Sequence, residues 1–291
     1  MGDSLWSDAG IILTVVDGLA FKSRDIEESV DVYFFRRLGI VFALAARAIG
    51  MSPTGVTVVA MIAGGVGGAL LAWPDYAMLG VALLVLHGVL DSSDGQLARL
   101  TGNSTEFGRM MDGVAGYVTH IAMYLGILAS GLSRGWGWEL AALMLVAGIS
   151  TIVHAQMYDY HRSAYVAYVT KGEPPPAVVG APNTGIVGAY EAMQRVIVGL
   201  HPEVERVLVS RLVDGRVGEA DRQRYRACFY TPIVYGWNLM GDNMRRLSIL
   251  VAVWFGRPEW FIFVEIVPLN LLMVALWFRQ READRRFLEA A

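Results

Sequence analysis

Cysteine is nearly absent: Cys228 is the single thiol in 291 residues. That excludes an internal disulfide, and a lone thiol in such a chain is expected to be an inert, buried packing group. Charge is scarce too, at 18% of residues against 55% hydrophobic, with a mean hydropathy of +0.44. An ordinary soluble domain is more charged and less apolar than this. No ten-residue stretches of alternating hydrophobicity occur, which removes a membrane β-barrel, and a lipid-exposed backbone that is not helical leaves its polar groups unsatisfied. Met1–Ser7 lacks a basic start and the apolar run Ile11–Val16 is short, so no cleavable signal peptide is expected. No inverted internal repeat of the transporter type is visible either.

What the chain does have is long apolar runs. Crossing the hydrocarbon takes about 20 mostly apolar residues, and six stretches qualify: 54–73, 76–98, 106–131, 137–159, 230–256 and 258–278. The fold class expected is therefore all-α, a polytopic membrane bundle of six transmembrane helices preceded by an interfacial helix. That helix falls within 26–50, where Arg36, Arg37 and Arg47 are mixed with Phe34, Phe35, Ile40, Val41, Phe42 and Leu44. Residues 1–25 read as a loose lead-in, and Ser52-Pro53 ends the interfacial helix.

Positive charge is lacking on one side of these spans. The turns at 74–75, 132–136 and 257 hold only Arg134 and Arg257, whereas the other side carries Lys22, Arg24, Arg99, Arg109, Arg162, Lys171 and the Arg279–Arg286 tail. The positive-inside rule places both termini at the cytoplasmic face of the cytoplasmic membrane. No nucleic-acid partner is expected, and the sequon at Asn103 lies on the cytosolic side, where it has no meaning.

Four segments follow: 1–50 with the interfacial helix; 51–160 with the first four spans; a cytosolic helical insertion over 161–229; and 230–291 with the last two spans and a basic tail. In the insertion, Glu173–Pro176 and Gly180–Gly188 are loop signals. Tyr190–Val213 has the helical spacing of a small amphipathic subdomain.

Acidic residues then occur where they are costly. Asp91 and Asp94 lie one helical turn apart in the second span, and Asp112 begins the third after a short connection. Carboxylates at the edge of hydrocarbon need a cation to hold them. Three converging carboxylates with all-oxygen ligation suit Mg²⁺ or Mn²⁺, with Ca²⁺ also compatible. Gly95, Ala98 and Gly108 would leave a shallow bay beside the metal for a flat base or ribose, or would serve as close-packing points; Arg99 is placed to meet a phosphate. In the fifth span Asp242, Asn243, Arg245 and Arg246 are expected to line the same cavity. The two arginines, with Arg162, form an anion subsite for a phosphorylated acceptor or a lipid head group, or simply pair with interfacial lipid phosphate.

The string Asp91-x-x-Asp94-Gly95-x-x-Ala98-Arg99, then Gly108-x-x-x-Asp112, resembles the signature of the CDP-alcohol phosphotransferase family at seven positions with the correct gap. The resemblance covers roughly residues 30–130 and implies a divalent-metal-dependent enzyme of phospholipid synthesis. An alcohol would attack the β-phosphorus of CDP-diacylglycerol or another CDP-alcohol and release CMP. Asp91, Asp94 and Asp112 would hold the metal, and Gly95, Ala98, Arg99, Gly108 and Thr57 would hold the nucleotide. The eighth signature position, which supplies the family's last ligand and its base, is Gly116 here. His120, one turn beyond it, is the leading substitute base; His87, His154, Asp159 and His161 are weaker ones. Two other functions compete with active catalysis: a degenerate homologue binding nucleotide or lipid as a regulatory or assembly subunit, and a transporter. A homodimer through Gly64-Gly65-x-Gly67-Gly68 is a further expectation.

Overall fold

The computed structural model describes residues 25–175, 198 and 201–290, and within them every regular element is helical apart from an isolated bridge between Val213 and Arg216. The lead-in before residue 25, the loop expected at 180–188 and, Val198 apart, the first part of the helical stretch expected at 190–213 lie outside the described residues.

After one wide turn at Asp31–Phe35, α1 (Arg36–Ala48) carries Leu38, Val41, Phe42 and Leu44 exposed, and Gly39, Ile40, Ala43 and Ala46 buried. One face thus packs inward while an apolar face is left outward, as an interfacial helix requires. Ser52 adopts an extended conformation and its Oγ accepts from the Gly55 N–H at 3.1 Å, so α2 (Pro53–Leu70) starts on a capped first turn with proline at its first position. A short turn at Pro74–Tyr76 leads into α3 (Ala77–Thr101). Gly102, at φ +65°, closes α3 in a left-handed conformation that a side chain would strain, and its N–H returns to the Ala98 carbonyl. Thr105 then caps α4 (Glu106–Ser133) by accepting from the Gly108 N–H at 3.0 Å. The connection 102–105 is tight, and α3 and α4 each pack along α2.

Next come α5 (Trp138–Tyr165), which continues through a wide-turn segment to Lys171, α6 (His201–Ser210), α7 (Glu219–Val234), α8 (Asp242–Trp254), α9 (Trp260–Ile266) and α10 (Pro268–Glu289). Among the described residues, five helical stretches are long and apolar enough to cross a membrane: Pro53–Leu70, Pro74–Thr101, Glu106–Ser133, Trp138–Lys171 and Trp260–Glu289. The chain is an integral membrane helix bundle. The expected span at 230–256 is not continuous. α7 begins earlier, at Glu219, and ends at Val234; a tight turn at Trp237–Met240 follows, and α8 is too short for the hydrocarbon at about 1.5 Å per residue. Charge at Asp242, Arg245 and Arg246 and glycines at 236 and 241 account for the interruption.

Two compact units arise: Met1–Met144 with Arg245–Ile262, and Leu145–Met244 with Phe263–Ala291. In the first, α2 packs along both α3 and α4, and α1 lies on α3. The glycine stripe of α2 is used up in this packing. A Cβ at Gly64 would run into Thr119 Oγ1, one at Gly67 would meet the Gly80 carbonyl at 2.8 Å, and one at Gly68 would run into the Met123 nitrogen. The surface on which the homodimer expectation rested is therefore inside a single chain. In the second unit α10 packs on α6 and α7. Cys228 on α7 is half-buried rather than buried, and partial burial pushes its thiol up, away from reactivity.

Candidate functional site

The first unit contains all seven matched signature residues. Asp94 is buried, Asp91 half-buried and Asp112 exposed, and the charges of Asp91 and Asp112 both act on Asp94. Asp94 is held from a third helix: the Thr57 hydroxyl of α2 donates to Asp94 Oδ2 at 2.5 Å, while also lying 3.1 Å from the Pro53 carbonyl. Thr57 is itself buried, one turn into a helix whose start is set by Ser52 and Pro53. The break before the first span thus has a purpose at the site, because it places a hydroxyl opposite the signature helix.

Aspartate oxygens from two helices are the hard donors that Mg²⁺ or Mn²⁺ prefers. Among the described residues, however, no three His, Cys, Asp or Glu side chains are gathered to hold a metal ion. Asp91, Asp94 and Asp112 match a divalent cation in donor type and charge, but the expected convergence of all three on one point is not seen.

The small residues divide between the two roles open to them. A Cβ on Gly95 would lie 3.5 Å from Arg99 Nη1, so the Arg99 guanidinium reaches back over the glycine one turn before it. Gly108 is a packing point as well: its Cβ would come within 3.1 Å of Thr105 Oγ1 and 3.6 Å of Thr54 Oγ1. Gly116 has nothing within 4 Å of where a Cβ would be, leaving open space in which an aspartate side chain would fit.

Of the substitute bases, His87 is buried and its Nδ1 donates to the Ala60 carbonyl at 3.0 Å, a link between α2 and α3. His120 is half-buried, with Nδ1 2.9 Å from the Gly116 carbonyl. A carbonyl only accepts, so the proton is on Nδ1 and the lone pair on Nε2. His154 and His161 lie in the second unit, as does exposed Asp159. There His154 lies 3.1 Å from Asn270 Oδ1 and 3.5 Å from Glu265, and buried His161 stacks on Trp237 at 4.8 Å.

The residues of the expected anion subsite are divided between the two units. Arg246 belongs to the first unit and sits in a notch over Gly88, one turn before Asp91, where a Cβ would be 2.9 Å from its Cζ; it also covers the Phe35 ring at 5.0 Å. Arg245 is in the same unit and buried. Asp242, Asn243 and Arg162 belong to the second unit, where Arg162 lies over the Tyr158 ring at 4.9 Å and 3.5 Å from Asn238 Oδ1. Sequence reasoning passed over Gly88, although a glycine one turn before a signature aspartate was the available signal.

It also passed over a buried polar core in the second unit. His201 Nδ1 donates to Asp284 at 2.8 Å, and Nε2 lies 2.9 Å from the Tyr225 hydroxyl; Gln280 links Asp284 at 3.1 Å to the Trp237 indole at 3.1 Å. These residues come from α6, α7, the 237–240 turn and α10, and no local periodicity connects them. Glu205, beside them, is held above the usual carboxylate range by burial.

Residues 50–188 match the sequence model of the family described as CDP-alcohol phosphatidyltransferase. A phosphatidylinositol phosphate synthase from Mycobacterium marinum (strain ATCC BAA-535 / M) is 28% identical over 145 residues, covering 48% of this chain and 58% of that protein. The match thus spans a little over half the length of this curated relative.

Proposed function

We propose that this chain, whose residues 50–188 match the sequence model of the CDP-alcohol phosphatidyltransferase family, transfers a substituted phosphate from a CDP-linked donor to an alcohol and releases CMP, in phospholipid synthesis. The observation that carries this reading is Asp94: a buried carboxylate, coupled to Asp91 and Asp112 and fixed by the Thr57 hydroxyl. An isolated buried carboxylate is expensive, and this arrangement suits a site that a cation completes.

In the reaction the acceptor oxygen forms a bond to the β-phosphorus, the bond from that phosphorus to the bridging oxygen breaks, and CMP departs with the electron pair. Asp91, Asp94 and Asp112 would hold Mg²⁺ or Mn²⁺, which supplies neutralisation of the charge developing on the leaving phosphate. Arg99 binds a phosphate oxygen, and the bay at Gly95, Ala98 and Gly108 receives the nucleoside. His120 Nε2 takes the proton of the attacking hydroxyl in place of the aspartate that Gly116 lacks. Arg246, with Arg245, binds the phosphate of a phosphorylated acceptor or of a lipid head group. Asp242, Asn243 and Arg162 are assigned to acceptor binding on their sequence positions alone. The basic loops support a site at the cytoplasmic face of the cytoplasmic membrane, with the nucleotide in water and the lipid tail in the bilayer. The relative's name, a phosphatidylinositol phosphate synthase, favours a phosphorylated polyol as acceptor and CDP-diacylglycerol as donor.

The test is CMP release by the purified full chain with CDP-diacylglycerol and a panel of alcohols. Release that needs divalent metal, stops with EDTA and falls at least about a hundredfold in Asp94→Asn is expected from the loss of metal-borne charge stabilisation. The open space at Gly116 favours a second reading, a homologue that binds without turnover. Absence of CMP release with every acceptor, together with its appearance in Gly116→Asp, would establish that one instead.

A further inference from the structure

The donor site has one arginine on the signature helix, and the fold brings a second to it. α1 approaches α3 so closely at Gly39 that a Cβ there would lie 2.9 Å from Gln96 Oε1 and 3.0 Å from Ser92 Oγ. One turn earlier on α1, the backbone carbonyl of Arg36 accepts from Gln96 Nε2 at 3.0 Å. Gln96 is one turn before Arg99, so these contacts seat the start of α1 beside the end of the signature. The Arg36 side chain is only 17% exposed, and its Nη2 is 3.5 Å from Oε1 of Glu27, which is 1% exposed. Arg99 is half-buried and feels the charges of Arg36, Glu27 and Asp94.

Two guanidiniums are therefore held near one another, partly out of water, with Glu27 and Asp94 as counter-charges. Keeping like charges adjacent costs free energy unless an anion lies between them. A phosphate oxygen is such an anion, and planar guanidiniums suit it by their paired N–H groups.

We propose that Arg36, from the interfacial helix, joins Arg99 in a two-guanidinium subsite for a phosphate group of the lipid-linked substrate, which competes with Glu27 for Arg36. This rests on the phosphotransferase reading of the same site. It also gives α1 a direct part in the chemistry, since a helix lying at the membrane surface would deliver a charge to the substrate drawn from that surface.

The experiment measures binding of soluble CDP and of CDP-diacylglycerol in nanodiscs to the full chain, alongside CMP release and thermal midpoints. Arg36→Gln should weaken binding about ten- to hundredfold, the worth of a charged hydrogen bond. Arg36→Lys should fall between it and the wild type, and Glu27→Gln should bind no more weakly than the wild type. Equal losses for CDP and CDP-diacylglycerol would assign the subsite to the diphosphate, and a loss with the lipid substrate alone to a phosphate held at the lipid surface. Wild-type affinity for both ligands in Arg36→Gln would overturn the proposal, as would an equal weakening by Glu27→Gln, which would make the pair purely structural. If the wild type binds CDP through Arg36 yet never releases CMP, the phosphotransferase reading fails and the subsite stands. If it turns over normally without Arg36, the subsite alone fails.

Discussion

At Thr57 a single hydroxyl decides how a buried carboxylate points. Valine has the same shape without the donor, so Thr57→Val should leave Asp94 intact and free to turn away from the other two aspartates. The loss of a charge-assisted hydrogen bond, about 1.5–3 kcal/mol, predicts a ten- to hundredfold fall in kcat/KM and a higher metal requirement, with Thr57→Ser close to the wild type. A Thr57→Val enzyme with unaltered metal dependence would show that the contact has no catalytic weight. Gly116 and His120 make a second residue-scale case. Nδ1 of His120 is committed to the Gly116 carbonyl, which leaves Nε2 as the basic atom, and the space beside Gly116 is open. His120→Ala should cost about a hundredfold or more in turnover, as the removal of a general base does. In a Gly116→Asp background the same change should cost far less, because the new carboxylate takes the proton. Equal losses in both backgrounds would remove His120 from the base role.

Among the elements, the crossing of α2 with α4 sets the distance between the two halves of the signature. Gly68 lies against the backbone of Ala122 and Met123, which unlike a flexible side chain cannot move aside, and the Gly68 carbonyl in turn fills the space at Gly126. Gly68→Val is expected to force the helices apart, cost at least about 1–3 kcal/mol, and lower both thermal midpoint and activity. A midpoint within experimental error of the wild type would mean that the helices do not approach as closely as described. Glycines at helical spacing were readable as points of close packing. Their partner was not readable, because the same stripe suits a second copy or a neighbouring helix equally, and here the neighbours are α3 and α4 of the same chain. The interruption between α7 and α8 was likewise half visible: charges at 242, 245 and 246 signalled an unusual span, while the break itself depends on how the surrounding helices receive Trp237 and Asn238.

For the molecule as a whole, the second unit is organised around ionisable groups removed from water. Glu205 on α6 faces Tyr160 and Tyr168 from α5 and its extension, His201 on its own helix, Tyr225 on α7 and Asp284 on α10, and burial holds its carboxyl above the ordinary glutamate range. The folded state thus keeps a proton on Glu205 that the unfolded chain gives up. Stability from this group is fully present below the ordinary glutamate range and is lost as pH rises through the raised folded value. The thermal midpoint should therefore fall over that interval, and Glu205→Gln should flatten the fall. An identical slope in the variant would mean that Glu205 is ionised throughout.

The amino-acid sequence by itself determined the class of the molecule and the candidate members of its site, for reasons that are local. Apolar run length decides whether a helix can cross a bilayer, and the 3.6-residue period puts Asp91, Asp94 and Gly95 on adjacent positions of one helix whatever surrounds them. Only the tertiary structure decided which groups meet across helices. Thr57 finds Asp94 from 37 residues away, Arg36 is brought to the signature by Gln96, and His201 is joined to Asp284 across 83 residues. Such pairings are set by how helix surfaces pack, and periodicity along one helix carries no information about the surface it will meet.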